Sequence, residues 1–266
     1  MSAVYTHGHH ESVLRSHRWR TAENSAAYLL PHLHAGQTLL DIGAGPGTIT
    51  MDLAALVAPG RVTATEVTDE ALSLSRAEAQ ARGASTVDFT TADVHELPFP
   101  DDTFDVVHAH QVLQHVADPV RALAEMRRVC KPGGVVAARD SDYDRFAWHP
   151  AVPELDEWLA LYRATARANG GEPDAGRRLL SWAQGAGFSD ITPGASVWCY
   201  ATDSDRRWWG TMWADRIVAS EMARQVLAAG TATAADLDRL SAGWRRWADA
   251  PDGWFAILHG EILCHA

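Results

Sequence analysis

Cysteine is scarce in this chain of 266 residues: Cys130, Cys199 and Cys264 are odd in number and far apart. That excludes a disulfide framework and a paired zinc spacing, and it fits reduced thiols in a cytoplasmic protein. We expect Cys130 and Cys199 to be small core residues rather than nucleophiles. Positive charge is also short, with 23 Lys and Arg against 34 Asp and Glu and a formal net charge of −11. A broad basic surface for nucleic acid is therefore not expected. No stretch reaches the roughly 18 consecutive apolar residues of a membrane span. The segment Met1 to Glu11 is polar and His-rich, without the basic start and apolar core of a signal peptide. His7, His9 and His10 lie on that polar tail without surrounding carboxylates, so no metal site is expected there. There is no internal repeat and no low-complexity tract.

What is present is an ordinary globular composition, 47% apolar and 21% charged, long enough for one large α/β domain or a domain with a cap. The organising stretch is Thr38 to Gly47. Leu39, Leu40 and Ile42 read as a buried strand, Gly43, Gly45 and Gly47 as a tight turn, and Thr48 to Val57 as a helix. A glycine turn between strand and helix lets a ligand approach bare backbone. A dinucleotide site asks for G-x-G-x-x-G. Here the third glycine comes one residue early, Asp41 precedes the turn, and no Lys-Ser/Thr pair marks a nucleoside triphosphate site. The sequence D-x-G-x-G-P-G resembles motif I of the class I S-adenosylmethionine (SAM) methyltransferases.

Further strands are predicted over Arg61 to Val67, Val87 to Thr91, Phe104 to His108 and Val135 to Arg139. The helices between them run from Glu70 to Arg82, capped by Asp69 and ended by Gly83, and from Pro119 to Cys130. Lys131 to Gly134 reads as a turn. Strands alternating with helices argue for a doubly wound parallel sheet. Before it, Ser12 to Leu33 is helical, with Thr21 and Asn24 as a start signal. After Asp140, helices are predicted over Val152 to Ala168, Gly176 to Ala186, Ser204 to Ala229 and Ala234 to Ala248. A strand broken by Pro193-Gly194 spans Ile191 to Thr202, and another runs from Trp254 to Cys264.

A sulfonium cofactor presents a cation, an amino acid, a ribose diol and an adenine, and the strand ends offer a group for each. Glu66 ends the second strand, 23 residues after Gly43, close to the roughly 20-residue offset of a ribose-binding acid; Val67 follows it. Asp93 can accept from an adenine amine while the Val94 N–H meets a ring nitrogen. The glycine-turn carbonyls of Gly43, Ala44 and Gly45, with Gln111 and His115 after the fourth strand, would face the methionine end. Arg20, in a basic and aromatic N-terminal stretch, could meet its carboxylate.

Leu97-Pro-Phe-Pro-Asp-Asp-Thr-Phe-Asp105-Val-Val, Leu113-Gln-His-Val116 and Arg128-Val-Cys-Lys-Pro-Gly-Gly134 resemble, in order and spacing, the ubiquinone/menaquinone-biosynthesis type of SAM methyltransferase (methyltransferase type 11). Gln114 stands where that family has Glu. The resemblance covers about residues 38 to 140. It implies a Rossmann-like seven-stranded sheet with the last strand antiparallel, SAM as cofactor and no metal. It departs in the long helical segment before the last strand. We therefore expect an N-terminal helical lid (1–36), a SAM-binding domain (37–203 and 252–266) and a helical substrate cap (204–251).

Ten of the eleven Trp lie from Trp148 onward. Most should be packing residues. Trp19, Trp148, Trp208, Trp209 and Trp213 are candidates to line a chamber for a small aromatic or apolar acceptor, with a peptide as the alternative. A base is needed only if the acceptor must lose a proton. Candidates are His110, His115, Asp142 and Tyr143, with Asp140 and His149 behind them. A methyltransferase fold kept for binding or regulation without activity is a second reading. An NAD-dependent oxidoreductase is disfavoured by the glycine spacing. The sequence predicts a monomer or homodimer and names no acceptor.

Overall fold

The computed structural model describes residues 11–266. The tail histidines His7, His9 and His10 lie outside the described residues. Two short helices, α1 (Glu11–Arg18) and α2 (Ala22–Ser25), precede the sheet, and Thr21 and Asn24 form a reciprocal capping box at the start of α2. Then come β1 (Leu39–Ile42), α3 (Thr48–Val57), β2 (Val62–Glu66), α4 (Asp69–Arg82), β3 (Val87–Thr91), β4 (Phe104–His110), α5 (Pro119–Val129) and β5 (Cys130–Ser141). All four residues of β1 are buried, as a central parallel strand with both faces covered requires. Strand β1 pairs in parallel with β2 and β4, β2 with β3, and β4 with β5.

The second half adds β6 (Ala147–His149), α6 (Pro153–Ala168), α7 (Leu179–Gly185), β7 (Asp190–Tyr200), α8 (Asp203–Ala219), α9 (Glu221–Ala228), α10 (Ala234–Asp249) and β8 (Trp254–His265). Strand β8 runs antiparallel between β5 on one side and β7 on the other, and β6 continues the β5 side. The expected last antiparallel strand is thus present, and the short β6 is an addition to the seven expected strands.

Four local expectations are corrected. Thr68, not Asp69, caps α4, because its side chain accepts from the Ala71 N–H. Lys131 to Gly134 is not a separate turn but a bulge at the start of β5, whose pairing jumps from Phe104–Cys130 to Val106–Val135. Pro193-Gly194 does not break β7, which pairs continuously with β8; Pro is tolerated on an edge strand because it need not donate to a ladder. The long helix from 204 divides at Ser220 into α8 and α9.

Three apolar cores follow. One lies between the sheet and α2 to α4, a second between the opposite face and α5 and α7. The third is built from aromatic residues of α6, α8 and α10, aliphatic residues of α9, and the ends of β7 and β8. Its centre is Trp158, with Trp213 at 4.5 Å and Trp244 at 4.8 Å, both edge-on. This third core stands over the carboxyl ends of the strands.

Candidate active site

The carboxyl ends of β1 to β5 open into a cavity of about 580 Å³. On one side the glycine turn forms its wall. Gly43, Gly45 and Gly47 have φ of 67°, 55° and 85°, a region in which side chains are strained. A Cβ on Gly43 would lie 2.5 Å from Val112 Cγ2, whereas one on Gly45 would meet nothing nearer than His17 at 4.0 Å. The turn's N–H groups are already engaged. Those of Gly43 and Ala44 donate to Thr65 O, that of Gly47 to Ala44 O, and that of Gly45 to Glu66 Oε1 at 2.7 Å. Pro46 has none. A carboxylate therefore sits where a dinucleotide's phosphate would need donors.

Asp41 lies beneath the turn and is buried. One oxygen faces His108 Nδ1 at 2.7 Å and the other accepts from Thr50 Oγ1 at 2.5 Å. Asp93 is exposed at the end of β3. It accepts from the His95 backbone N–H at 2.9 Å and contacts the His95 ring at 2.6 Å. The backbone bond first, and the ring next among the favourable contacts, hold its carboxyl below the usual range against a modest burial effect.

The floor comes from the end of β4. Gln111 adopts φ 54°, unusual for a residue with a side chain. Its side chain is held by Arg20 Nη2, which donates to Oε1 at 2.6 Å, while Nε2 donates to Ser141 Oγ at 2.9 Å and to His259 Nε2 at 3.0 Å. His115 is half-buried beside the buried Gln114, and loss of solvent contact, then Arg20, pushes its pKa down to about 3. His110 is buried too, and neither ring nitrogen has a partner among the described residues. Burial first, then Arg20 and Arg139, drive its pKa well below the ordinary value, so the ring is a neutral imidazole.

Beyond His110 the wall is aromatic: Tyr143, Phe146, Trp198, Tyr200, Trp209 and Trp213. Tyr200 stacks on Trp209 at 4.4 Å, and Tyr143 on Phe146 at 4.4 Å. Trp198 is fixed by its indole N–H, which donates to Asn24 O at 2.6 Å. Arg216, buried on α8, lies over Trp213 at 4.5 Å and donates to Ser16 Oγ at 2.7 Å.

Residues 40–138 match the family model described as a methyltransferase domain. An uncharacterized methyltransferase of Schizosaccharomyces pombe is 35% identical over 272 residues, covering 97% of this chain and 95% of that one. The chain belongs to the class I SAM-dependent methyltransferases. The ubiquinone/menaquinone biosynthesis C-methyltransferase UbiE of Enterobacter is 31% identical over 172 residues, 59% of this methyltransferase and 68% of that one. The fold matches the crystal structure of the YcgJ protein of Bacillus subtilis with a TM-score of 0.59 at 21% identity, over 91% of this chain and 98% of that chain.

The cavity of this methyltransferase brings together every residue expected around the cofactor: Arg20, Asp41, Gly43, Ala44, Gly45, Glu66, Val67, Asp93, Val94, Gln111 and His115. His110, Tyr143, Trp209 and Trp213 line it as well. Asp142 does not. It is buried in an ion pair with Arg177, Nε at 2.6 Å, so it is no free base. Trp19, Trp148 and Trp208 are also off the cavity. Trp19 packs on the outer edge of Trp198 at 5.3 Å, Trp148 stacks on Phe255 at 5.7 Å, and Trp208 lies against Tyr200 at 5.8 Å. His149 is exposed and 3.2 Å from Asp252. Trp198, Tyr200 and Arg216 were not anticipated. The period-two spacing of Trp198 and Tyr200 on an inward strand face was the available signal.

Proposed function

We propose that this methyltransferase transfers the methyl group of SAM to a small, flat acceptor of aromatic or apolar character. The observation that carries this reading is the division of one cavity into a glycine-and-acid half and an aromatic half. The residues present fit SAM. Gly45 leaves open space at its α-carbon, Glu66 and Asp93 stand at neighbouring strand ends as hydrogen-bond acceptors, and the turn has no N–H row left for a diphosphate. Glu66 would take the ribose hydroxyls, Asp93 and Val94 the adenine, and Arg20 with the backbone at His110 and Gln111 the amino-acid end. Asp41 would act from below, by fixing His108 and Thr50 under the turn.

When bound, SAM supplies a methyl group on a positively charged sulfur that departs as a neutral thioether. The chain's own contribution is to hold the acceptor in line and keep water out. Trp209, Trp213, Tyr143 and Phe146 enclose the acceptor side, and α1 together with the helices of the third core serves as its cap. Three free thiols, Cys130 and Cys264 in the core and Cys199 exposed on β7 rather than in the core as expected, suit a reducing compartment such as the cytoplasm. No helix among the described residues is long and apolar enough to cross a membrane.

Titration calorimetry with SAM, S-adenosylhomocysteine and NAD tests this reading. The first two should bind and NAD should not. Glu66→Ala should weaken SAM binding by about 1–3 kcal/mol, or roughly 5- to 150-fold, through loss of a polar partner. Unchanged affinity in that variant would remove Glu66 from the site, and binding of NAD alone would overturn the assignment of the cavity.

A further inference from the structure

The two halves of the cavity differ in charge. Among the described residues its acids are Asp41, Glu66, Asp93 and Asp118, all on the glycine side or at the mouth beside β3. The aromatic half has none, and Arg20 and Arg216 border it. Three side chains there are more than nine-tenths buried: His110 at 6% exposure, Tyr200 at 1% and Trp209 at 5%. The His110 ring nitrogens, the Tyr200 hydroxyl and the Trp209 indole N–H have no hydrogen-bond partner among the described residues. Buried polar groups are normally satisfied, so an unmatched cluster on a cavity wall describes its ligand.

The cluster is biased toward donation. The indole only donates, the hydroxyl is kept protonated because burial pushes its pKa up, and the neutral imidazole offers one donor and one acceptor. An ammonium group would find no carboxylate here. Nor is the aromatic wall an open cage for it. A guanidinium already lies over Trp213, that of Arg216 at 4.5 Å, and two approach Trp198, those of Arg139 at 4.6 Å and Arg20 at 5.7 Å. The site attracts oxygen and repels a second cation.

We propose that the acceptor is a flat apolar oxygen acid, bound as its oxyanion, and that Tyr200 is the residue that selects it. The proposal rests on the methyltransferase reading and deepens it. Burial, the main cause of His110's neutrality, works against any charge here, but the guanidiniums of Arg20 and Arg139 that also disfavour a charged imidazole act with opposite sign on an acidic hydroxyl, and together with the Tyr200 and Trp209 donors they let its proton leave to solvent as the acceptor binds. His110 then donates a hydrogen bond rather than removing a proton. The acceptor oxygen's lone pair forms the new O–C bond as the C–S bond breaks, and the C–S electron pair stays on sulfur. The negative charge on oxygen and the positive charge on sulfur are both extinguished, in a site with little water to shield them.

The probes are 2-naphthol, 2-naphthoate and 2-naphthylamine, titrated into the full chain saturated with S-adenosylhomocysteine, in two buffers of different ionisation enthalpy. At least one oxygen acid should bind about tenfold or more tightly than the amine. Naphthol binding should release a proton to the buffer. A preference for naphthol assigns a phenol or enol, and a preference for naphthoate assigns a carboxylate. Tyr200→Phe, which keeps the ring and its stacking on Trp209, should erase most of that preference and leave the affinity for S-adenosylhomocysteine unaltered. The proposal is overturned if the amine binds as tightly as both acids, if neither acid binds while S-adenosylhomocysteine does, or if Tyr200→Phe retains the preference. Failure of S-adenosylhomocysteine itself to bind would instead strike the methyltransferase reading beneath it.

Discussion

Asp140 sets the stability of the loop that carries the cavity floor, and its response to pH can be worked out. It lies on β5, fully buried. Oδ1 accepts from the Gln114 N–H at 3.0 Å, and Oδ2 has no partner among the described residues. Burial pushes the carboxyl from an ordinary 3.8 up to about 7, against the opposing hydrogen bonds from the backbone of Gln114 and Leu113. The folded chain therefore keeps a proton that the unfolded chain has already released. Between about pH 4 and pH 7 the folded state binds more protons, so stability falls as pH rises. The difference in pKa corresponds to about 4 kcal/mol at high pH, of which roughly 3 kcal/mol is lost between about pH 5 and pH 8. Asp140→Asn keeps the shape and the acceptor for Gln114 but cannot ionise. Its new amide N–H groups cost about 1–2 kcal/mol if unmatched. At low pH the variant should be level with wild type or slightly weaker, and at high pH it should be the more stable protein. Urea unfolding of both proteins at the two pH values measures this, because contributions from all other groups cancel in the comparison. Parallel pH profiles for wild type and variant would refute the reasoning.

Two further outcomes follow from the β1 turn. Asp41→Ala strands His108 Nδ1 and the Thr50 hydroxyl in the core, and should lower unfolding stability by roughly 2–4 kcal/mol; a loss well under about 1 kcal/mol in urea titrations would show that Asp41 is not their anchor. Gly45→Ala places a methyl group in open space at φ 55°. It should cost roughly 1–2 kcal/mol of stability through backbone strain and weaken SAM binding about tenfold. Full SAM affinity, measured by calorimetry, would take the turn out of the site.

The glycine turn and the acids at the ends of β2 and β3 were legible because the information is local. A buried run, a set of glycines and a helix follow one another within twenty residues, and Glu66 and Asp93 mark where strands stop. The aromatic half was legible only in composition. Trp19, Trp148, Trp208, Trp209 and Trp213 are the same residue type in the sequence, and only the rotation of α8 and the packing of α1 and β6 decide which face the cavity. Trp208 and Trp209 are neighbours yet turn different ways, since adjacent helical positions point about 100° apart. Asp142 looked like a free acid at a strand end because its partner, Arg177, is 35 residues away in the chain. The split at Ser220 carried no Gly or Pro to announce it.

The position of β8 has a consequence for how the molecule is made. Among the described residues β7 pairs with β8 alone, and α8, α9 and α10 intervene between them. During synthesis β7 must wait, one ladder unfilled, while the whole helical segment is translated, and contacts so distant along the chain form slowly. The aromatic cavity wall at Trp198 and Tyr200 takes shape only when β8 arrives. A nascent chain stalled within α10 would carry a finished glycine turn and no chamber beside it.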